Sequence, residues 1–421
     1  MNQFVGILGI LVMMAIAWLM SENRRAVPWK TVAVASGMQL ALGILIAGIP
    51  AWGVKGPLHP LFTSANDAVV ATLAYVERGS GFVFGPLIQP EKIGEYIVAF
   101  KVLPTIIFFA SLMAVLYHYG VMQKIVNALA WAMRRFLGIS GAESLSTAGN
   151  IFLGQTEAPL LIKPYVNSMT RSEIMCVMVG GFANVAGGVL AAYVGMLSGL
   201  IPNIAGHLLT VSVMSAPATI VFAKIIVPET ASAETQQHVR LSGPSIYTNG
   251  IDAAAQGALE GTHLAITVGG MLIAFIALMA LFNGALGWLS DTTGLSGQLG
   301  SPLTLELLLG WIFAPFSWLL GVSREHMHFA GQLLGKKLIL NEFVAYLDLA
   351  KNGGQLDQRS AVILSYALCG FANFGSIAIQ IGGIGGIAPD KKGELAALGL
   401  KAMFAGMFAS AMCGAIMGLL L

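Results

Sequence analysis

Two glutamates interrupt otherwise apolar stretches of the chain, Glu157 in segment 150–159 and Glu342 in segment 340–345. An ionisable side chain at membrane depth costs about 2.5 kcal/mol or more and usually marks the path of a substrate or an ion. The alternative for Glu157 is a loop outside the membrane, and Glu342, with charged neighbours on both sides, could lie on the surface. Paired carboxylates in a cavity could hold a polar passenger or serve as the acid and base of an enzyme.

Segment 150–159 is interrupted by Gly154 and Pro159 and is too short to cross a bilayer twice. A chain that enters the bilayer and turns back leaves backbone groups unpaired, which is tolerated only where protein or a watery cavity surrounds them. The sequence therefore predicts a re-entrant segment whose break lies at a binding site.

A faint internal repeat relates the two glutamates. Gly-Phe-Ala-Asn-Val at 181–185 recurs as Gly-Phe-Ala-Asn-Phe at 370–374. The spacing from Glu157 to Glu342 is 185 residues and that from Asn184 to Asn373 is 189, so short insertions account for the difference. Two copies that run in opposite directions through the membrane form an inverted repeat, the common architecture of secondary transporters.

Asn184 and Asn373 each lie in a glycine-rich apolar helix. The glycines are consistent with close helix packing. They are equally consistent with an unwound helix, whose freed carbonyl oxygens bind a hard cation such as sodium. A side-chain amide both donates and accepts hydrogen bonds, so each asparagine needs partners in either case.

The composition is that of a membrane protein, because 56% of the 421 residues are hydrophobic, 10% are charged and the mean hydropathy is +0.79. The net charge of +2 is spread along the chain, which gives no reason to expect nucleic acid as a partner. The three cysteines and seven histidines are scattered, so we expect neither disulfides nor histidine–cysteine metal sites. Residues 4–20 carry their positive charges after the apolar run, which favours a retained span over a cleaved signal peptide.

Eight apolar runs are long enough to cross a hydrocarbon core of roughly 30 Å. They lie at 4–20, 31–49, 98–119, 173–200, 204–227, 263–288, 358–384 and 392–421. Residues 121–137 predict an amphipathic helix in the interface. Residues 64–76 give a weaker signal of the same kind, 304–322 is expected not to cross, and 228–261 is the best candidate for a solvated loop.

Three motifs carry a resemblance to a known family. They are GNIFLGQTEAPL at 149–160, NEFVAY at 341–346 and GFANFGSI at 370–377. In this order, and with this hydrophobic layout, they resemble the concentrative nucleoside transporters over most of the chain. Together with the composition and the repeat, the resemblance implies an all-α polytopic membrane protein of about eight transmembrane helices. It implies an inverted-repeat secondary transporter with two re-entrant hairpins and two broken helices.

The resemblance also implies a homotrimer in which a mobile transport domain moves like an elevator against a scaffold. The expected ranges are scaffold spans at 1–120, the interfacial helix at 121–142, the first hairpin and broken helix at 143–200, scaffold spans with the polar loop and an interfacial segment at 201–322, the second hairpin and broken helix at 323–388, and the last span at 389–421.

Carried over residue by residue, the resemblance implies a nucleobase contact from the first hairpin and a ribose contact from the second half. The nucleobase side comprises Gln155, Thr156 and Glu157, with Val189 nearby. The ribose side comprises Glu342, Asn373 and Ser376, with Phe371 close to the ligand.

A sodium site is implied between the first hairpin tip and the first broken helix. Its ligands would be the side chains of Asn150 and Asn184 and the carbonyls of Leu153 and Val185. Some family members have serine in place of Asn184, and proton-coupled relatives lack the first asparagine, so Asn150 favours sodium.

The expected function is nucleoside import by sodium symport in the inner or plasma membrane, with no organic cofactor and with nucleoside, lipid bilayer and further copies of the chain as partners. Proton-coupled nucleoside symport remains an alternative. A membrane-embedded enzyme using Glu157 and Glu342 is opposed by the inverted repeat and by the lack of a nucleophile or metal-binding set in the sequence. A channel would need a continuous polar path, which the apolar spans do not suggest.

Overall fold

The computed structural model describes residues 5–89, 97–236 and 247–421, and these ranges form helices and no β-strand. The main helices are α1 (Val5–Leu19), α2 (Trp29–Ala47), α3 (His59–Phe84), α4 (Leu103–His118), α5 (Val121–Leu137), α6 (Gly141–Gly149), α7 (Arg171–Ala183), α8 (Gly187–Leu197), α9 (Ile204–Ile226), α10 (Gly250–Thr292), α11 (Leu305–Leu319), α12 (Met327–Ile339), α13 (Glu342–Asn352), α14 (Gln358–Ala367), α15 (Phe374–Ile387) and α16 (Lys392–Leu420). Shorter helical segments are Pro50–Trp52, Gly85–Ile88, Val98–Lys101, Ala158–Ser168, Glu234–Gln236, Leu295–Leu299, Gly353–Gln355 and Pro389–Lys391. The predicted all-α class is confirmed.

Six helical segments of the described chain are long and apolar enough to cross a membrane. They are Trp29–Ala47, Val98–His118, Arg171–Leu197, Ile204–Ile226, Gly250–Thr292 and Pro389–Leu420. Helices α1, α11 and α15 are also apolar but shorter. Phe4, the first residue of the predicted first span, lies outside the described residues. The number of crossings, about eight, stays a prediction.

Helix α10 is much longer than the predicted span at 263–288. Its 43 residues correspond to about 64 Å at 1.5 Å per residue, twice the thickness of a hydrocarbon core. Asn249 begins it by accepting hydrogen bonds from the backbone N–H groups of Ile251 and Asp252. The prediction of a loop over 228–261 is therefore wrong for residues 250–261, which are helical, and residues 237–246 lie outside the described chain.

The extension of α10 is stabilised by close packing against α4 through small residues. A Cβ atom on Gly261 would lie 2.7 Å from the Ile107 Cα, and one on Gly257 would lie 2.7 Å from the Ala114 Cβ. Without glycine at these two positions the backbones could not approach so closely. Gly257 and Gly261, about one turn apart, thus let residues 250–261 pack closely on α4 as part of the helix.

The amphipathic helix predicted at 121–137 is present with these bounds as α5. Its buried residues, which share one face, are Met122, Val126, Ala130, Met133 and Leu137. Gly138, with a left-handed backbone (φ 66°), ends the helix. The weaker segment 64–76 is the middle of α3, a largely exposed helix of 26 residues.

Helix α11 covers most of the segment 304–322 that is expected not to cross. Its 15 residues span about 22 Å, less than a hydrocarbon core. It packs tightly on α12, where a Cβ on Gly331 would lie 2.7 Å from both the Ala314 N and the Gly310 O. The short length agrees with a non-crossing segment, which stays a prediction.

Both predicted hairpins are built from two short arms. In the first, α6 begins at a capping box formed by Ser140 and Glu143, and the returning arm is the helical segment Ala158–Ser168. In the second, α12 and α13 meet at Asn341, whose side chain accepts a hydrogen bond from the Val344 N–H at 2.9 Å. Residue Glu342 is therefore the first residue of a helix.

Both broken helices are present. The run predicted at 173–200 is interrupted between α7 and α8, and the run predicted at 358–384 is interrupted between α14 and α15. Helices α9 and α16, which pack against the broken helices, are largely buried. In the most apolar 18 residues of each, 89% are buried, whereas the figure for α10 is 11%. The core therefore surrounds the two broken helices, and α10 lies outside it.

The two breaks touch each other at Gly370. Its backbone has φ +108°, and a Cβ atom there would lie 2.6 Å from the Phe182 O and 2.8 Å from the Ala183 C. Only glycine tolerates both the conformation and the approach. The second helix break is thus seated directly on the end of α7.

We expect the substitution Gly370→Ala to destabilise the protein by about 2 kcal/mol or more, because it combines backbone strain with a steric clash. In detergent, the unfolding temperature would fall by several degrees. Gly382→Ala is the control, since a Cβ there meets no atom within 4 Å and the residue lies in α15. Equal unfolding temperatures for the two variants would contradict this account of the contact.

Candidate functional site

Asn184 and Asn373 both lie in the breaks with extended backbones, but Asn184 follows the end of α7 whereas Asn373 precedes the start of α15. The Asn373 Oδ1 accepts a hydrogen bond from the Ser376 N–H at 2.9 Å and so caps α15. The Asn184 Oδ1 accepts from the Ser215 hydroxyl at 2.5 Å, and its Nδ2 donates to the Gly180 O at 3.4 Å. Each break of the repeat therefore carries a buried amide, at the end of the first half-helix in one copy and at the start of the second half-helix in the other.

A chain of hydrogen bonds connects the first hairpin to the second. The Gln155 Nε2 donates to the Ser376 Oγ at 3.1 Å, and the Ser376 N–H donates to Asn373. The Asn373 Nδ2 in turn donates to the Glu342 Oε2 at 3.3 Å, and the Tyr193 hydroxyl donates to the Glu342 Oε1 at 2.9 Å. All five side chains are buried. Four predicted site residues from three separate segments of the sequence thus share one polar network.

The other predicted substrate residues lie around this network. Thr156 packs on α15, where a Cβ on Gly383 would lie 2.6 Å from the Thr156 Cγ2. Val189 is buried in α8, and Phe371 is partly buried in the second break. Thr156 therefore lies on the first hairpin against α15, Val189 in the second half of the first broken helix and Phe371 in the second break, and none of them joins the hydrogen-bond chain described above.

Glu157 takes a different position from Glu342. Its side chain is exposed at the hairpin tip, and its Oε2 accepts a hydrogen bond from the Gly154 N–H at 3.1 Å. Tyr117 of α4 and Glu260 of α10 are near enough to interact with it electrostatically. Glu157 therefore faces helices outside the core, and Gln155 provides the link from this tip to Glu342.

Sequence reasoning missed Tyr193, Gln380 and Ser215. The Gln380 Nε2 donates to the Gln155 Oε1 at 3.2 Å and to the Met178 O at 3.1 Å, so it fixes the first hairpin tip against α7 and α15. Tyr193 and Gln380 are isolated polar side chains in apolar stretches, which was the available signal, whereas Ser215 is one of several hydroxyl residues in α9 and had no such signal. Their partners lie too far along the chain for spacing to identify them.

The predicted cation ligands come together at the first break. Asn150 is 1% exposed, and neither its Nδ2 nor its Oδ1 has a hydrogen-bond partner among the described residues. A Cβ on Gly180 would lie 2.8 Å from the Asn150 Nδ2. The Gly187 N–H donates to the Phe152 O at 2.9 Å, which places the tip carrying Leu153 beside the break carrying Val185.

A buried amide oxygen without a partner is costly unless a ligand, ion or water satisfies it. The residues at the first break offer oxygen atoms as metal ligands, the type that hard cations prefer. The side-chain oxygens of Asn150, Asn184 and Ser215 therefore fit a small hard cation. No group of three His, Cys, Asp or Glu side chains suited to a metal occurs in the described part of the chain.

The polar network at the second break has another chemistry. The Glu342 carboxylate can accept from hydroxyl groups, whereas the amides of Asn373 and Gln155 can both donate and accept. Such a set suits a ligand with several hydroxyl groups and a heterocyclic edge. It lies beside the cation-type site because the two breaks touch at Gly370.

Three family models match successive parts of the chain. Residues 8–87 match "Na+ dependent nucleoside transporter N-terminus", residues 99–200 match "Nucleoside recognition", and residues 207–418 match "Na+ dependent nucleoside transporter C-terminus". The three matches include the segments that carry both breaks.

Similar proteins cover the whole chain. An uncharacterised transporter of Haemophilus influenzae is 43% identical over 426 residues, which is 100% of this chain and 98% of that protein. The nucleoside permease NupC of Helicobacter pylori is 38% identical over 427 residues, covering 99% of this chain and 98% of that protein.

A solved structure of the protein CNTnw, in an inward-facing substrate-bound state, has the same fold. It aligns with a TM-score of 0.89 and 42% identity, covering 100% of this chain and 98% of that one. A variant of CNTnw in an outward-facing state aligns with a TM-score of 0.89 and 41% identity over the same shares.

We expect Gln380→Met to loosen the tip of the first hairpin, because it removes the donor to two buried acceptors, at a cost of about 1–3 kcal/mol. Hydrogen exchange measured by mass spectrometry would become faster in peptides covering 150–159. The control is Gln298→Met, since Gln298 is exposed in the helix Leu295–Leu299. Unchanged exchange at the tip in the Gln380 variant would show that this residue does not hold the hairpin.

Proposed function

This chain belongs to the concentrative nucleoside transporter family, and from that premise we propose that it imports nucleosides by symport with sodium. It is a multi-pass protein of the plasma or inner membrane, and it moves nucleosides by alternating access. Because the family consists of transporters, the alternative of an enzyme at Glu157 and Glu342 is set aside. The observation that carries the proposal is the hydrogen-bond chain from Gln155 to Glu342, which joins the two hairpins across the helix breaks.

The chemistry of a nucleoside suits this chain of groups. Ribose hydroxyls donate to the Glu342 carboxylate and accept from the Asn373 amide, and Ser376 offers a further hydroxyl. A base edge carries both donors and acceptors, which Gln155 and Thr156 can match. We assign Glu157 to the base side as well, because its exposed carboxylate at the hairpin tip can accept from a base N–H group.

Two apolar side chains complete the proposed nucleoside site. Val189 and Phe371 provide apolar surface beside the two breaks, where a base can pack. Tyr193 acts through Glu342, since its hydroxyl holds one carboxylate oxygen at 2.9 Å and leaves the other facing Asn373. We therefore assign Tyr193 a positioning role.

Sodium is assigned to the first break, with the side chains of Asn150 and Asn184 and the carbonyls of Leu153 and Val185 as ligands. The unpartnered, buried Asn150 amide supports this assignment. Asn150 lies five residues before Gln155 on the same tip. A cation that immobilises Asn150 therefore also orders the tip that holds the nucleoside, which couples the two affinities.

The mobile unit in our proposal contains both hairpins and both broken helices. We add α9 and α16 to it, because both are buried against the broken helices. This moves α9 out of the scaffold range expected at 201–322 and assigns the last span, 389–421, to the mobile unit. The scaffold then comprises the less buried helices α2, α3, α4 and α10, and the unit moves against them as an elevator.

A homotrimer is the proposed assembly. Large apolar side chains on the outer helices support it, since Phe82 of α3 is 93% exposed and Ile273 of α10 is 76% exposed. Such surfaces require lipid or another subunit as neighbour. The polar core of each protomer remains separate from them.

We predict that purified protein in liposomes accumulates uridine or adenosine when sodium is higher outside than inside. The inward sodium gradient drives uptake, because the sodium ion proposed to bind at the first break is carried with the nucleoside. Radiolabelled uptake measures it, with a potassium gradient of equal size as the control. Uptake that ignores sodium and follows an imposed pH gradient would establish proton coupling instead.

We also predict that Glu342→Gln abolishes uptake, because the neutral amide can no longer accept from two ribose hydroxyls while keeping its contacts with Tyr193 and Asn373. Binding should weaken by at least about tenfold, which corresponds to 1.4 kcal/mol. Glu325→Gln is the matched control, since that side chain is 76% exposed. Wild-type uptake by a folded Glu342→Gln protein would remove this residue from the site.

A further inference from the structure

Lys337 is a buried cation that the proposed binding residues leave unexplained. It lies in α12, on the first arm of the second hairpin, and is 1% exposed. Its Nζ donates to the Ala367 O at 2.9 Å, to the Cys369 O at 3.0 Å and to the Ser410 Oγ at 2.8 Å. All three protons of the ammonium are therefore used, by oxygens alone.

The oxygens around Lys337 belong to the second helix break. Helix α14 ends at Ala367, and Cys369 lies in the break that follows. The last carbonyls of a helix lack partners within the helix and carry partial negative charge, so they attract a cation. The Glu342 carboxylate is near enough to add a direct charge attraction. The environment of this break therefore favours a positive charge.

The internal repeat relates Lys337 to Asn150. The two residues are 187 positions apart, between the spacings of 185 for the glutamates and 189 for the asparagines. Asn150 ends the first arm of the first hairpin and lies against Gly180 of α7. Lys337 lies near the end of the first arm of the second hairpin and contacts the end of α14. Each therefore faces the first half of a broken helix.

In each copy of the repeat, a serine from the helix that follows the broken helix bonds to one of the polar side chains at the break. Ser215 of α9, the helix that follows the first broken helix, donates to the amide of the first break. Ser410 of α16, the helix that follows the second broken helix, accepts from the Lys337 ammonium. One copy of the repeat thus holds a buried amide without a partner, and the other holds an ammonium ion with three.

We infer that Lys337 is a tethered substitute for a coupling cation at the second break. This inference rests on the proposed sodium symport. An ammonium and a sodium ion carry the same charge and both suit carbonyl and hydroxyl oxygens. With Lys337 in place, the carbonyl oxygens at the end of α14 are satisfied by a cation that belongs to the chain, without an ion from solution. Sodium is then required only at the first break, and one ion is coupled to each nucleoside.

The test is equilibrium binding of uridine or adenosine to the purified full-length protein at varied sodium, with choline replacing sodium to hold ionic strength constant. The slope of log affinity against log sodium concentration counts the ions coupled to binding. Wild type and Lys337→Arg, which keeps the charge, should give a slope of about one.

Lys337→Asn places at the second break the residue type found at the first. We expect its affinity to fall at least tenfold at low sodium, to recover at high sodium, and to follow a slope approaching two. Lys337→Met supplies no oxygen ligand, so its loss of affinity should persist at high sodium. Thermal unfolding and size-exclusion chromatography show which variants are folded, and Lys337→Asn and Lys337→Arg suffice if the methionine variant is not.

A folded Lys337→Asn variant whose slope is one would overturn the inference and leave Lys337 a structural residue. This holds whether the variant binds nucleoside as tightly as wild type or loses affinity that sodium does not restore. The proposed function fails separately, if wild-type binding is independent of sodium. In that case the inference is judged by whether Lys337→Asn gains a sodium dependence that wild type lacks. A sodium dependence of binding in Lys337→Asn supports the inference, and its absence refutes the inference.

Discussion

Two interrupted helices that touch inside an apolar bundle impose the constraint on which the rest of this structure depends. Every interruption leaves N–H and C=O groups that lipid cannot satisfy. At Gly370 the second interruption rests directly on the backbone of Phe182 and Ala183, so no side chain can fill the gap. Satisfying these groups requires polar side chains from elsewhere in the chain. Asn373 provides a helix cap, and Lys337 binds the carbonyl oxygens at the end of α14.

Groups that satisfy the backbone are also groups that can bind a solute, and this explains why the site lies where it does. Glu342 and Asn373 belong to the second hairpin and second broken helix, whereas Gln155 belongs to the first hairpin. A ligand bound among them contacts both halves of the repeat at once. Closure of either hairpin then changes the fit to the ligand, which is the requirement for alternating access.

The two halves of the repeat use charge differently. In the first half, the buried Lys224 pairs with Glu143 at 2.5 Å and donates to the Ser172 hydroxyl, so an ion pair holds the base of the first hairpin. The tip of that hairpin carries the neutral Asn150. In the second, the cation lies near the tip itself, as Lys337. Breaking a buried pair leaves an uncompensated charge, which is strongly destabilising, so these charges are stable parts of the fold. The buried Asn150 amide has no hydrogen-bond partner among the described residues, and the coupling of solute to ion is proposed to begin there.

The sequence alone determined the membrane class, the repeat that pairs Glu157 with Glu342, and the family, because composition and motifs are local properties. The broken helices came only with the resemblance to that family, since the glycines by themselves are equally consistent with close packing. Asn373, Ser376 and Gln155 were also identifiable in this way. Only the tertiary structure decided that Tyr193 bonds to Glu342, Gln380 to Gln155 and Ser215 to Asn184, that residues 250–261 are helical, and that Glu157 accepts its hydrogen bond from the Gly154 N–H. The physical reason is that each of these facts depends on which helix faces meet. Hydrophobic periodicity marks a buried face, but it does not identify the segment, often 150 residues or more away, that packs against it.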